Sequence, residues 1–146
     1  MAVKPIPDGY HTVTPYLVVP DVAALIAFVE QTFDGEEIRR MARPDGSVMH
    51  AEMRIGDSVV MMGEATDQYK STPAMLHLYV EDADAVYRRA LQAGATSLRA
   101  PQDEFYGDRM AGVQDAQGNQ WWIATHVEDV SPEEQDQRAA AFAAQQ

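Results

Sequence analysis

His50 and Glu52 stand two residues apart in the run Val48-Met49-His50-Ala51-Glu52-Met53-Arg54-Ile55. In an extended strand that spacing points both side chains to one face. An imidazole beside a carboxylate can hold a divalent metal, shuttle a proton or line a ligand site. The run Met75-Leu76-His77-Leu78-Tyr79 puts Met75, His77 and Tyr79 on one face in the same way, as Thr14 and Tyr16 share a face earlier in the chain. Further on, Tyr106, Asp108 and Arg109 sit together. The planar fork of Arg109 suits an anionic group and Tyr106 suits a donor or general acid, with an Asp108–Arg109 ion pair closing a loop as the plainer structural reading. Trp121 and Trp122 must face opposite ways on a strand. One then packs in the core, and the other, taken as Trp122, offers a stacking surface for a planar or cationic ligand.

Composition narrows what this chemistry is for. The chain has 146 residues, a net charge of −12 and no cysteine. A strongly acidic protein is a poor partner for nucleic acid, whose phosphates need a basic face, whereas it suits a cationic ligand. The absence of cysteine excludes disulfides, thiolate nucleophiles and cysteine-based zinc sites. No apolar run approaches the ~20 residues that span a bilayer, and no basic-then-apolar leader opens the chain, so a cytoplasmic protein without membrane contact is expected. Nothing matches a phosphate-cradling glycine loop or a nucleophile elbow. Met49, Met53, Met61, Met62 and Met75 fall on strand-like runs, where they serve a core or a deformable pocket.

The elements that must position these residues occur twice. A strand over 12–19 leads through Pro20-Asp21 to a helix carrying Leu25, Ile26, Phe28, Val29 and Phe33, which Gly35 stops. Strands over 38–43, 47–55 and 58–62 follow, separated by Pro44-Asp45-Gly46 and Gly56-Asp57 turns. After a polar loop the order repeats: a strand over 75–80, a helix capped by Glu81-Asp82-Ala83-Asp84 and stopped by Gly94, and strands over 97–100, 109–114 and 120–125. Residues 101–107 read as a loop. Gly56 and Gly118 lie 62 apart (118 − 56 = 62), and Asp21 and Asp82 lie 61 apart (82 − 21 = 61), so the chain reads as a duplicated βαβββ module. Ser131-Pro132-Glu133-Glu134 then opens a terminal helix.

A paired βαβββ module resembles the vicinal oxygen chelate superfamily of glyoxalase I, bleomycin-resistance proteins and extradiol dioxygenases. Tyr16 to Asp21, Arg54 to Ser58, Gly107-Asp108-Arg109 and Trp121 to Val130 look like its PhnB-like, glyoxalase-like branch. The resemblance implies an α+β fold of two modules forming an eight-stranded incomplete barrel around a cleft, followed by a C-terminal helix, in a homodimer. It implies one glyoxalase-like domain over 1–146, with module one at about 10–64, module two at about 74–127 and a helical tail at 131–146.

Enzymes of that superfamily hold a divalent metal with His, Gln or Glu side chains from four strands. The matching positions here are Thr14, Val60, Met75 and Trp122, whose side chains do not make such a site. No cofactor is therefore expected. A displaced metal site built from His50, His77, Glu52 and Glu64 is the alternative, with Glu64 taken as the counterpart of His126. The expected function is small-molecule binding and sequestration in a cleft lined by Thr14, Tyr16, His50, Glu52, Met75, His77, Tyr79, Tyr106, Arg109 and Trp122. The competing expectation is a metal-dependent lyase, isomerase or dioxygenase-like enzyme using the displaced site.

Overall fold

The computed structural model describes residues 2–145. Its elements run β1 (Tyr16–Val19), α1 (Val22–Phe33), β2 (Glu36–Ala42), β3 (Val48–Ile55), β4 (Ser58–Glu64), β5 (Met75–Tyr79), α2 (Ala83–Gln92), β6 (Thr96–Asp103), β7 (Asp108–Gln114), β8 (Gln120–His126) and α3 (Pro132–Ala144). The strands form two four-stranded sheets, ordered β1-β4-β3-β2 and β5-β8-β7-β6. In each sheet the first strand runs parallel to the fourth and the remaining pairs are antiparallel. The α+β fold of two βαβββ modules and a C-terminal helix is thus the observed one. The chain divides into two compact units, the first running to Ala74 and including residues 116–119, the second covering 75–115 and resuming at Gln120.

The duplication is one of register as well as order. Tyr16 pairs with Met61 in the first unit, and His77 pairs with Trp122 in the second. Both members shift by the same amount (77 − 16 = 61; 122 − 61 = 61). The helix starts repeat too. The Asp21 carboxylate accepts from Ala24 N at 3.1 Å, and Asp82 accepts from Ala85 N at 3.1 Å, each satisfying an amide that the first helical turn leaves without a partner. Glu64 Oε1 accepts from Val22 N at 3.4 Å, while Thr125 Oγ1 accepts from Ala83 N at 2.9 Å. Glu64 therefore corresponds to Thr125 and not to His126, because the offset is 61 along the first strand, the helix cap and the fourth strand of each module, and the 62 between the turn glycines reflects the loops.

Each helix covers one face of its own sheet. Leu25, Ile26 and Val29 of α1 are buried with Leu17, Val19, Met53 and Met62. In the second unit Val86 and Ala90 of α2 are buried with Ala111, Val113, Trp121 and Ile123. Burial of this apolar area is the main stabilising term for both layers.

Several boundaries differ from the sequence expectation, each for a local reason. The first strand starts at Tyr16 rather than residue 12, because Pro15 has no amide to donate; its carbonyl still accepts from Met61 N at 2.9 Å. Asp34, at φ 56°, takes the left-handed position after α1 that was assigned to Gly35. Gly35 is needed for a different reason: a Cβ there would lie 2.6 Å from Val29 Cγ1. Residues 101–103 extend β6 instead of forming a loop, and Pro101 is accommodated where the pairing register shifts between Arg99 and Gln102.

Helix α3 buries no residue. It is held through Arg138, whose guanidinium donates to the Phe105 carbonyl at 3.2 Å and to both Glu128 oxygens at 2.8 and 3.1 Å, and through the Phe105–Phe142 ring contact. No helix among the described residues is long and apolar enough to cross a membrane.

Candidate functional site

The face of the first sheet turned away from α1 carries a continuous polar chain. Glu52 and Tyr16 are both register partners of Met61, so their side chains share this face. The Tyr10 hydroxyl donates to Glu52 Oε1, and His50 Nε2 lies 2.8 Å from Glu52 Oε2. On its other side His50 Nδ1 is 3.2 Å from the Tyr16 hydroxyl. Gly63 makes room for that hydroxyl, since a Cβ there would fall 2.6 Å from it and 2.8 Å from the Met49 carbonyl. Glu52 is only 9% exposed, yet the Tyr10 hydroxyl and His50 hold its carboxyl below the usual carboxylate range against the opposing effect of burial. The same bond to the carboxylate raises the Tyr10 phenol.

Beside this chain lies a hollow of about 480 Å³, lined by Pro5, Ile6, Pro7, Tyr10, His11, Thr12, Thr14, Glu52 and Met61. Its size is that of a small-molecule site. Proline, isoleucine and methionine make its apolar walls, and Tyr10, Thr14 and Glu52 set polar groups into them.

The second unit holds a separate constellation. Asp108, 2% exposed, accepts from the Tyr79 hydroxyl at 2.9 Å and lies 2.8 Å from His126 Nδ1. His126 Nε2 is 2.7 Å from Asp129, so the ring bridges two carboxylates, which raise its pKa above the ordinary histidine value. The Tyr79 phenol is likewise raised, chiefly by its bond to Asp108. The His77 ring lies 5.1 Å from the Tyr79 ring, tilted by 52° to it. Arg109 does not pair with Asp108. Adjacent strand residues point to opposite faces, and Arg109 instead meets Asp84 at 2.8 and 3.1 Å and Asp103 at 3.1 Å. Its fork is thus already occupied by carboxylates, and its pKa is raised by them. Tyr106 donates to Met110 Sδ at 3.8 Å and meets Phe105 edge-on, with burial pushing its phenol up.

The two tryptophans part as strand alternation requires. Trp121 is fully buried and donates from Nε1 to Asp115 at 2.7 Å. Trp122, on the other face, donates to Gln120 at 3.1 Å and lies flat over Gly112, with the Arg99 guanidinium 5.5 Å from its ring centre. Met75 is 65% exposed at the start of β5.

Of the residues expected at one site, Thr14, Tyr16, His50 and Glu52 come together in the first unit, and His77, Tyr79 and Asp108 gather in the second. Glu64 turns the other way, with its oxygens accepting from Val22 N and from Val48 N at 3.1 Å. Among the described residues no three His, Asp or Glu side chains gather as a metal would need. Val60 is 5% exposed on the helix side of its strand, and the residue of the first module that matches Trp122 of the second is Met61, each facing the first strand of its own sheet at the same place. In the first unit Thr14 and Met61 carry a hydroxyl and a thioether, and in the second Met75 and Trp122 carry a thioether and an indole. Tyr10, His11 and the prolines of the N-terminal arm line the hollow and are absent from the residues expected from sequence. The only signal was an aromatic residue at the end of an arm otherwise without a core.

The two βαβββ modules define the class of protein, and the comparisons with known proteins agree. The model of the Glyoxalase/Bleomycin resistance protein/Dioxygenase superfamily matches residues 10–123, and the chain belongs to that superfamily. It is 39% identical over 132 residues to the uncharacterized protein Mb0911c of Mycobacterium bovis, covering 83% of this chain and 87% of that one. The uncharacterized protein Rv0887c of Mycobacterium tuberculosis is also 39% identical over 132 residues, covering 83% and 78%. Among solved structures, TioX from Micromonospora sp. ML1 aligns with TM-score 0.69 and 23% identity over 80% of this chain and 99% of its own. A glyoxalase/bleomycin resistance protein/dioxygenase family enzyme from Burkholderia phytofirmans PsJN aligns at 0.62 and 22%, over 79% and 96%. These structural likenesses concern the fold.

Proposed function

We propose that the protein binds a small organic molecule non-covalently in the hollow of its first unit and sequesters it, without the superfamily's usual divalent metal. The observation that carries this is the hollow itself: about 480 Å³, with apolar walls and a shielded carboxylate set into one side. None of Thr14, Met61, Met75 and Trp122 offers an imidazole or a carboxylate, which supports binding without that metal. A net charge of −12 favours cationic over anionic ligands at long range. On the same reading the protein is a cytoplasmic homodimer, a state that light scattering coupled to size exclusion measures directly.

The enzymatic alternative keeps one observation, the His50–Glu52 pair at 2.8 Å, which has the geometry of an oriented general base. Elemental analysis of protein purified without chelator separates the two. Binding without the usual metal predicts far less than one Ni, Zn, Fe or Mn per chain, together with thermal stabilisation by some members of a panel of aromatic amines. A stoichiometric metal that is lost in His50→Ala would overturn the proposal.

A further inference from the structure

Resting on that reading, we infer that the hollow selects ligands carrying N–H donors, an ammonium or amidinium group on an apolar body, because its polar groups of fixed direction all face it as acceptors. A hydroxyl has one proton, so a partner that can only accept decides which way it points. The carboxylate of Glu52 is such a partner, and the Tyr10 hydroxyl donates to it. Tyr10 Oη is left with lone pairs alone. Thr14 follows the same rule: its hydroxyl donates to the His11 carbonyl at 3.2 Å, and a carbonyl cannot give a proton back. Glu52 Oε2 lies 2.8 Å from His50 Nε2, which donates to it because a carboxylate can only accept.

Tyr10, Thr14 and Glu52 all line one hollow, and no side-chain oxygen of the three has a proton to offer a ligand. His11 and Thr12 also line it, without a hydrogen bond that fixes their direction. Arg39, the cross-strand partner of Glu52, helps keep the carboxylate ionised, but neither it nor Arg54 lines the hollow. A carbonyl or carboxylate ligand would meet lone pair against lone pair. An alkylammonium would satisfy several acceptors at once, with its body against Pro5, Ile6, Pro7 and Met61.

Three probes sharing one ring separate donor recognition from charge: tryptamine, its N,N,N-trimethyl derivative (the same charge without N–H on the head group) and indole-3-acetate. In calorimetric titrations of the whole chain, tryptamine is expected to bind about tenfold more tightly than the trimethyl compound, the effect of a charge-assisted hydrogen bond. Thr14→Val, a change that keeps the side chain's shape and removes its hydroxyl, should lower tryptamine affinity roughly threefold to tenfold with a much smaller effect on the trimethyl probe. Equal affinity for the two cations, or tighter binding of indole-3-acetate, overturns the inference while leaving a small-molecule site in place. If none of the three binds, the functional proposal and this inference fall together. Independently of any ligand, carbon-13 carboxyl titration of Glu52 must show it ionised at neutral pH, because a protonated Glu52 would free Tyr10 to donate.

Discussion

Adding a single methyl group at Gly112 tests the packing of the second sheet. Arg99 and Trp122 are the two cross-strand neighbours of Gly112, and the indole reaches across the glycine toward the guanidinium. A Cβ at 112 would lie 2.6, 2.7 and 2.8 Å from three ring carbons, where ordinary contact begins near 3.4 Å. The ring must lift off the sheet, which costs about 1–3 kcal/mol as overpacking plus about 0.5 kcal/mol of cation–π attraction. Replacing glycine by alanine in a strand returns about 0.5–1 kcal/mol by restricting the unfolded chain. The net expectation for Gly112→Ala is destabilisation of about 1–2 kcal/mol, a fall of roughly 3–6 °C in Tm. In a Trp122→Ala background the sign should reverse, with alanine at 112 stabilising by about 0.5 kcal/mol. Urea unfolding of the four proteins in the cycle gives the coupling, expected near 2 kcal/mol. A coupling within error of zero would show that the indole does not rest on the glycine, and the account of this face would be wrong.

His126 makes stability fall with rising pH: its folded pKa is raised, so its contribution is complete below the unfolded value and is lost as pH climbs through the folded one. Urea midpoints measured across neutral pH should show this decline in the wild type and a flatter profile in His126→Asn. Glu52 acts oppositely, since its lowered pKa gives stability that is present above the unfolded carboxylate value and lost on acidification; Glu52→Gln should blunt the acid limb of the same curve. Arg138→Ala should release α3, seen as faster amide exchange over residues 132–144 with little change in the global midpoint, because the helix buries nothing. Trp121→Phe removes the donor to the buried Asp115 and some core volume, for a loss of about 2–3 kcal/mol in urea unfolding.

What was legible in the sequence was whatever depends on near neighbours. Asp21 and Asp82 announce two helices because capping is settled within three residues, and the strand periods show because alternation is local. The spacing of those caps already contained the true register of 61. What stayed hidden depends on groups far apart in the chain. Tyr10 meets Glu52 across 42 positions, and Arg109 meets Asp84 across 25, so neither pairing leaves a local mark. Adjacency misled for Asp108 and Arg109, which lie side by side in sequence and face opposite ways in space. A one-residue error misled for Glu64, because a strand slipped by one place turns every side chain over.

The short turn at residues 116–119 belongs by sequence to the second module, yet it is counted with the first unit. Gln117 accepts from Asp21 N at 3.1 Å, and the fully buried Asn119 accepts from Ala74 N at 2.9 Å. A gene cut after codon 74 would consequently yield a fragment missing part of its own fabric, with two amides deprived of their acceptors. Such a fragment should fold poorly alone and recover when residues 75–146 are co-expressed, as two pieces of a zip do when brought back into register. The first unit thus draws two of its acceptors from a stretch of chain that lies beyond residue 115, and a cut placed at the sequence repeat would not coincide with the seam of the fold.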